Sequence, residues 1–218
     1  MKIGIIGAGF VGRAIGKLAV GAGHQVMLSN SRGPQTLFSL RYAVGCEVGT
    51  VEEAAAFGDV VVVAIPLSAI GTLPVAALAG KVVIDTDNYY WERDGRIAEL
   101  DRGETTTSEL LARHLPTSRI VKAFNAIPMN DLESDGRPKG APDRRALPIA
   151  GDDAEGKAIA TAWLEAFGFD VVDVGALAEG WRFERDRPAY CVPLGRVDLE
   201  RTLASTTRED RQAGAARD

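Results

Sequence analysis

The sequence predicts an α/β fold, a doubly wound parallel sheet with a small carboxyl-terminal αβ extension. Three observations predict it. Short β-rich runs alternate with helical stretches through the first two-thirds of the chain. Several runs are apolar throughout, as in parallel strands buried on both faces. A glycine-rich turn, "GAGFVG", joins the first run to the first helix.

Each element carries its own signal. "KIGIIG" is a compact apolar strand, "FVGRAIGKLAVGAG" a small-residue helix closing at Gly23, and "QVMLS" a second strand. "PQTLFSLRYAV" has helical spacing, with Pro34 in the first turn, where a missing N–H costs nothing. "TVEEAAAFG" reads as a short helix capped by Thr50, with Glu53 at the capping-box position. "DVVVVAI" and "KVVID" are buried strands. "TTSELLARHLP" repeats the box with Thr106 and Glu109 and ends at Pro116, before the strand "RIVKAFN". Beyond Asn125, "ESDGRPKGAPDRR" is read as an exposed loop. "ALPIAG", "DDAEGKAIATAWLEAFG" and "FDVVDVG" then continue the sheet as strand, helix and strand. The expected division is a dinucleotide-binding domain over 1–124, an extension over 125–195, and a polar tail over 196–218, a frayed helix or disordered.

Composition narrows the function classes. The chain has 218 residues, 46% hydrophobic and 25% charged, enough for a substantial core. A net charge of −5 gives no general attraction to nucleic acid or anionic membranes. No apolar run approaches the roughly 20 residues of a membrane span. The first strand begins too early for a signal peptide, so a cytoplasmic protein without membrane insertion is expected. Cys46 and Cys191 are read as free thiols, and two histidines without a Cys/His cluster argue against zinc.

Gly7, Gly9 and Gly12 form G-x-G-x-x-G after a strand and at the opening of a helix, the context that makes this pattern a Rossmann-type signature. Gly7 permits the tight turn, Gly9 admits a pyrophosphate, and Gly12 lets helix and strand pack closely. The helix amino terminus offers free N–H groups to the anion. Past the second strand, the carboxylate that binds the ribose of NAD is missing: no acid lies between Gly12 and Glu47. Ser29, Asn30, Ser31 and Arg32 stand there instead. A carboxylate would repel a 2′-phosphate, whereas a guanidinium and hydroxyls attract one, so NADP is the expected cofactor. These residues also suit an ordinary turn.

The stretches "MKIGIIGAGFVGRAIGKLAVGAGH", "SNSRGP", "DVVVVAIP", "SELLARHLPTSRIVKAFNAIP" and "LPIAGDDAEGKAIATAWLEAFGFDVVDVG" together resemble the NADPH-dependent coenzyme F-420 reductase family, including its bacterial relatives. The resemblance implies a Rossmann-type homodimer that transfers a hydride between NADPH and a small-molecule acceptor, a dissociable deazaflavin (coenzyme F-420) or flavin. By position, Ala8, Gly9, Phe10 and Val11 would contact the pyrophosphate, and Ser31 and Arg32 the 2′-phosphate. Ala64, Ile65 and Pro66 would border the cofactor ribose. Asn125, Ala126 and Ile127, with Pro128, would face the nicotinamide. Each group lies at the carboxyl end of an expected strand, where ligands bind in open sheets. Asn88 reaches the same edge, as a ligand or as a turn residue.

Hydride transfer between stacked rings depends on proximity and alignment, so no residue is assigned as a catalytic acid or base. His114 and the tryptophans are read as structural, with Trp181 and Tyr190 as the aromatics nearest a possible acceptor. "DNYYWERDG", "DGRPKGAPDRR" and "GWRFERDRPAY" depart from the archaeal pattern. Three other readings remain: an NADPH sensor without turnover, a reductase of quinone or of ferric iron through a flavin, and an imine or β-hydroxyacid reductase. The last of these needs a larger helical domain.

Overall fold

The computed structural model describes residues 1–212. Its centre is one eight-stranded sheet, built from β1 (Lys2–Ile6), β2 (Gln25–Ser29), β3 (Glu47–Gly49), β4 (Val60–Val63), β5 (Val82–Asp85), β6 (Arg119–Lys122), β7 (Ala146–Gly151) and β8 (Asp170–Asp173). The order is β3-β2-β1-β4-β5-β6-β7-β8. The first six strands run parallel in the Rossmann arrangement, and β7 joins β6 antiparallel. Strand order reverses between β1 and β4, which opens the crevice where such sheets bind ligands.

Helices cover both faces: α1 (Phe10–Gly21), α2 (Phe38–Val44), α3 (Val51–Phe57), α4 (Val75–Leu78), α5 (Trp91–Asp94), α6 (Ala98–Asp101), α7 (Thr107–His114), α8 (Met129–Ser134), α9 (Ala154–Ala166) and α10 (Arg196–Ser205). Ile3, Ile5, Val60 and Val62 pack toward Ala14 and Ile15 of α1, while Ile6, Val61 and Val63 pack toward Ala55 of α3 and Leu111 of α7. Neighbouring residues of one strand thus enter opposite cores, which is why these runs are apolar without alternation. Both capping boxes form: Thr50 accepts from the Glu53 amide and Thr106 from the Glu109 amide, each glutamate bonding back to the cap.

The structure differs from the sequence reading in three places. The segment "PQTLFSLRYAV" splits into a 3₁₀ turn at Pro34–Leu37 followed by α2, and β3 is an additional short strand. The charged loop before β7 is not wholly exposed, because Arg144 and Arg145 are buried. Arg144 donates to the carbonyls of Glu165 and Phe169 at the end of α9 and pairs with Asp170 at 2.7 Å. Arg145 meets Asp131 and Asp135. Residues 196–205 of the expected polar tail form a helix, α10, that is docked and not frayed, burying Leu199 and Leu203 against β7 and β8 with Phe183. Arg182 ties down its end through the carbonyls of Leu203 and Thr206. Residues 213–218 of the expected tail lie outside the described residues.

Leu203→Ala should therefore lower stability by about 2–5 kcal/mol in denaturant unfolding, the usual cost of emptying a core leucine site. A change within about 0.5 kcal/mol, typical of a surface position, would show that α10 is not docked.

Candidate active site

After β1, Gly7 turns the chain at φ 118°, a conformation that side chains oppose. A Cβ on Gly7 would lie 2.1 Å from the Ala64 carbonyl oxygen, and one on Gly12 would lie 1.9 Å from the Gly7 carbonyl oxygen. Gly9 is the opposite case, since a Cβ there would meet nothing within 4 Å. It caps α1 without any side-chain hydrogen bond, so the first-turn N–H groups stay available to an anion in that open space. Ala8 and Val11 are half-buried beside it, and Phe10 is exposed.

The second loop abuts this cradle through a hydrogen bond from the Gly7 amide to the Ser29 carbonyl. Ser29 itself corrects an expectation. It is buried, and its hydroxyl donates to the Ile5 carbonyl at 3.0 Å, so it is already used inside the sheet. Asn30 shapes the turn: its Oδ1 accepts from the Arg32 amide at 2.9 Å, and its Nδ2 donates to Thr36. Ser31 and Arg32 remain at the surface, and among the described residues no carboxylate pairs with the Arg32 guanidinium. The structure thus brings Ser31 and Arg32 to the cradle's edge and turns Ser29 away.

The third region is the carboxyl edge of β4, β5 and β6. Ala64 and Ile65 are half-buried and Pro66 is exposed. The Ile65 amide donates to Asp87 Oδ1 at 3.1 Å. Asp85 closes β5 with no exposure, accepting from the Asp87 amide at 2.9 Å and the Ser108 hydroxyl at 2.5 Å. Lys122 closes β6, equally buried. Its Nζ donates to the Asp87 carbonyl, Thr107 Oγ1 and Ser108 Oγ at 3.0, 2.7 and 3.3 Å, with Asp85 and Glu184 carboxylates at 4.0 and 3.8 Å. Burial, reinforced by Asp85, pushes the Asp87 carboxyl well above the usual carboxylate range, while Lys122 pulls the other way.

Asn125 follows Phe124, which bends the chain at φ 63°. Asn125 Nδ2 donates to Asn88 Oδ1 and to the Phe183 carbonyl, and Asn88 Nδ2 returns a bond to the Asn125 carbonyl at 3.1 Å. Asn88 is thus a clamp between β5 and β6. Ala126 and Ile127 bury their side chains, so only their backbone can border a ligand. Two atoms stand out: Asn125 Oδ1 and Asp87 Oδ2 are buried without a hydrogen-bond partner. Leaving such a group unpaired costs about 1–3 kcal/mol, a penalty that a bound polar group would relieve. The Asn125 oxygen is an acceptor that suits the NH₂ of a carboxamide, the polar substituent of nicotinamide.

Sequence reasoning missed Asp85, Asp87 and Lys122. For Asp85 and Lys122 the local trace was a charged residue at the carboxyl end of the strands "KVVID" and "RIVK"; Asp87 had none. Other residues are structural. Trp181 is buried beneath Arg182, Arg187 and Arg208, Tyr190 bonds Tyr90 at 2.6 Å, and His114 Nε2 lies 3.4 Å from the Leu73 carbonyl. Among the described residues, no His/Cys/Asp/Glu group could hold a metal, and no helix is long and apolar enough to cross a membrane.

The chain is similar to several known proteins. Residues 2–89 match the family model described as NADP oxidoreductase, coenzyme F420-dependent, a span that includes the cradle, the second loop and the ends of β4 and β5. Metalloreductase STEAP3 of Rattus norvegicus is 30% identical over 198 residues, covering 88% of this chain. The chain spans only 38% of that relative's length. A hypothetical protein of Sinorhizobium meliloti superposes with a TM-score of 0.77 at 27% identity, over 89% of this chain and 94% of that one. A presumed F420-dependent NADP-reductase from Arthrobacter sp. FB24 gives 0.69 at 26% identity, over 81% and 85%.

Two outcomes follow from this geometry. Gly12→Val should abolish dinucleotide binding in a fluorescence titration, because its side chain would drive α1 off the Gly7 carbonyl; unchanged affinity would show that the contact does not shape the cradle. Asp87 binds its proton more tightly folded than unfolded, so wild-type stability should fall as pH rises from the ordinary carboxyl value of 3.8 toward the raised folded value. Asp87→Asn should remove that decline in denaturation curves taken across pH, and an identical decline in the variant would contradict the assignment.

Proposed function

We propose that this NADP-dependent oxidoreductase carries a hydride between NADPH and a deazaflavin or flavin-like acceptor. The observation that carries the reading is the F420-dependent NADP oxidoreductase match over residues 2–89, laid on an open glycine cradle with Arg32 at its rim, unpaired among the described residues. NADPH supplies the hydride when bound. The amide groups around Gly7, Ala8, Gly9, Phe10, Val11 and Gly12 hold the pyrophosphate. Ser31 and Arg32, on the turn shaped by Asn30, hold the 2′-phosphate. The backbone at Ala64, Ile65 and Pro66 borders the ribose, and Asn125 with the Ala126 and Ile127 backbone orients the carboxamide. The acceptor lies over the nicotinamide, where alignment of the two rings and exclusion of water do the work. The reading takes the protein as a cytoplasmic homodimer acting on a small molecule, without nucleic acid or membrane insertion.

The STEAP3 likeness favours a second reading, in which the acceptor is a diffusible flavin that passes electrons to ferric iron. Single-turnover mixing of NADPH with F420, FMN, FAD, a quinone and a ferric chelate separates the two. Fast oxidation by F420 supports the first, oxidation by flavin with onward ferric reduction the second, and binding without oxidation by any acceptor indicates a sensor.

Arg32 gives the sharpest cofactor prediction. Arg32→Ala should weaken NADPH binding roughly tenfold or more, since a charge-assisted bond is worth about 1.5–3 kcal/mol, and leave NADH binding unchanged. Equal losses for both dinucleotides in calorimetric titrations would remove the 2′-phosphate assignment.

A further inference from the structure

The sequence offered no acid or base for the reaction, yet the site contains a buried carboxyl pair. Asp85 and Asp87 are both almost fully buried, and their environments differ. Asp85 receives donors on both oxygens, from the Asp87 amide and from Ser108, an arrangement suited to a carboxylate. Asp87 receives one, from the Ile65 amide, and its Oδ2 has none. The nearest cation does not make up the difference: the Lys122 ammonium directs its bonds to the Asp87 backbone carbonyl and to two hydroxyls of α7. Arg93 of α5 is engaged with Asp94 at 2.8 Å and with the Asn88 carbonyl. Glu184, facing Lys122 from the segment after Phe183, adds negative charge. Buried beside Asp85 and with one oxygen that receives no donor, the Asp87 carboxyl is the one whose ionised form is disfavoured.

We propose that Asp87 is a proton reservoir coupled to the charge of the nicotinamide ring, protonated opposite the neutral reduced ring and ionised opposite the cationic oxidised ring. The inference rests on the reading above that puts the ribose beside Ile65 and the carboxamide beside Asn125, with the ring that joins them in between. Asp87 accepts from the Ile65 amide, and the neighbouring Asn88 is bonded to Asn125, so Asp87 lies on the segment that links the two positions. A ring that gains a positive charge in a low-dielectric site lowers the cost of ionising a neighbouring carboxyl. In turnover the hydride leaves NADPH with both bonding electrons and reduces the acceptor. The O–H bond of Asp87 breaks, its electron pair stays on the carboxylate, and the proton passes to water, from which the reduced acceptor is protonated. When NADP⁺ departs, water returns a proton to Asp87. The net change is one hydride and one proton delivered to the acceptor. The burial and Asp85-driven rise in the Asp87 carboxyl is the condition for this coupling, since a carboxyl already ionised in the resting protein has no proton to release.

Calorimetric titration of the full chain with NADPH and with NADP⁺, in buffers of different ionisation enthalpy and at several pH values, counts protons exchanged on binding. The expected result is greater proton release with NADP⁺ than with NADPH, with the difference approaching one proton, and no such difference in Asp87→Asn. Infrared difference spectra of the wild type supply a readout independent of the variant: a protonated-carboxyl C=O band present with NADPH and lost with NADP⁺. Equal proton counts for the two dinucleotides in the wild type, a persistent difference in Asp87→Asn, or an unchanged carboxyl band would overturn the inference while leaving the dinucleotide site intact. Failure of the wild type to bind either dinucleotide would overturn the functional reading and the inference with it.

Discussion

The constraint on which the rest depends is a contact between two pieces of backbone. Where a Cβ at Gly12 would lie 1.9 Å from the Gly7 carbonyl oxygen, helix α1 can rest on the turn only if no side chain intervenes. The same closeness recurs on the other face of β1, where a Cβ at Gly4 would lie 2.0 Å from the Ala54 carbonyl oxygen of α3. With helices seated tightly on both sides of the central strand, the amino terminus of α1 comes to the switch point of the sheet. Its open room at Gly9 is then set by the fold itself, and the second loop is held beside it through Gly7 and Ser29.

Around that frame the strand ends divide their tasks. The edge at β1 and β2 offers the first-turn amides of α1 and the Arg32 guanidinium, which no carboxylate among the described residues pairs with. The edge at β4, β5 and β6 is built from opposing buried charges whose placement is costly unless each is well partnered. Lys122 meets that requirement through hydroxyls supplied by α7 and a carbonyl from the segment after β5. Asp87 meets it incompletely. Partly satisfied groups in an otherwise well-satisfied interior are a recurrent mark of a functional position. Here two of them, Asp87 Oδ2 and Asn125 Oδ1, lie on the segments that would border the reactive end of the dinucleotide.

Much of the fold was legible in the sequence because local chemistry and global architecture agree. The glycines of the first turn, Pro34 at the start of its turn, and the Thr50/Glu53 and Thr106/Glu109 pairs each specify their geometry within a few residues. The continuous apolar runs reveal burial on both faces for the same reason. Ser29 was misread because a polar residue ending a strand looks available, whereas a strand enclosed on both faces can turn that hydroxyl back onto its neighbour's carbonyl. Arg144 and Arg145 looked solvated amid prolines and glycines, yet they fold inward to satisfy carbonyls and carboxylates distant in sequence. The Asp85–Asp87–Lys122 constellation was equally hidden. It exists only when β5, β6 and α7 meet, and no local spacing encodes that meeting. In α10, Leu199 and Leu203 lie four residues apart on one helical face, a small signal that the surrounding charges obscured.

The central claim is that the carboxyl edge of this sheet aligns NADPH with a second ring for direct hydride transfer. Its most direct test follows a deuterium atom. NADPH labelled stereospecifically at C4 is reacted with a deazaflavin acceptor in ordinary water, and the product is analysed by mass spectrometry. Direct transfer puts label in the reduced acceptor from one of the two C4 epimers and none from the other. Label lost to solvent, or transferred equally from both epimers, would contradict it.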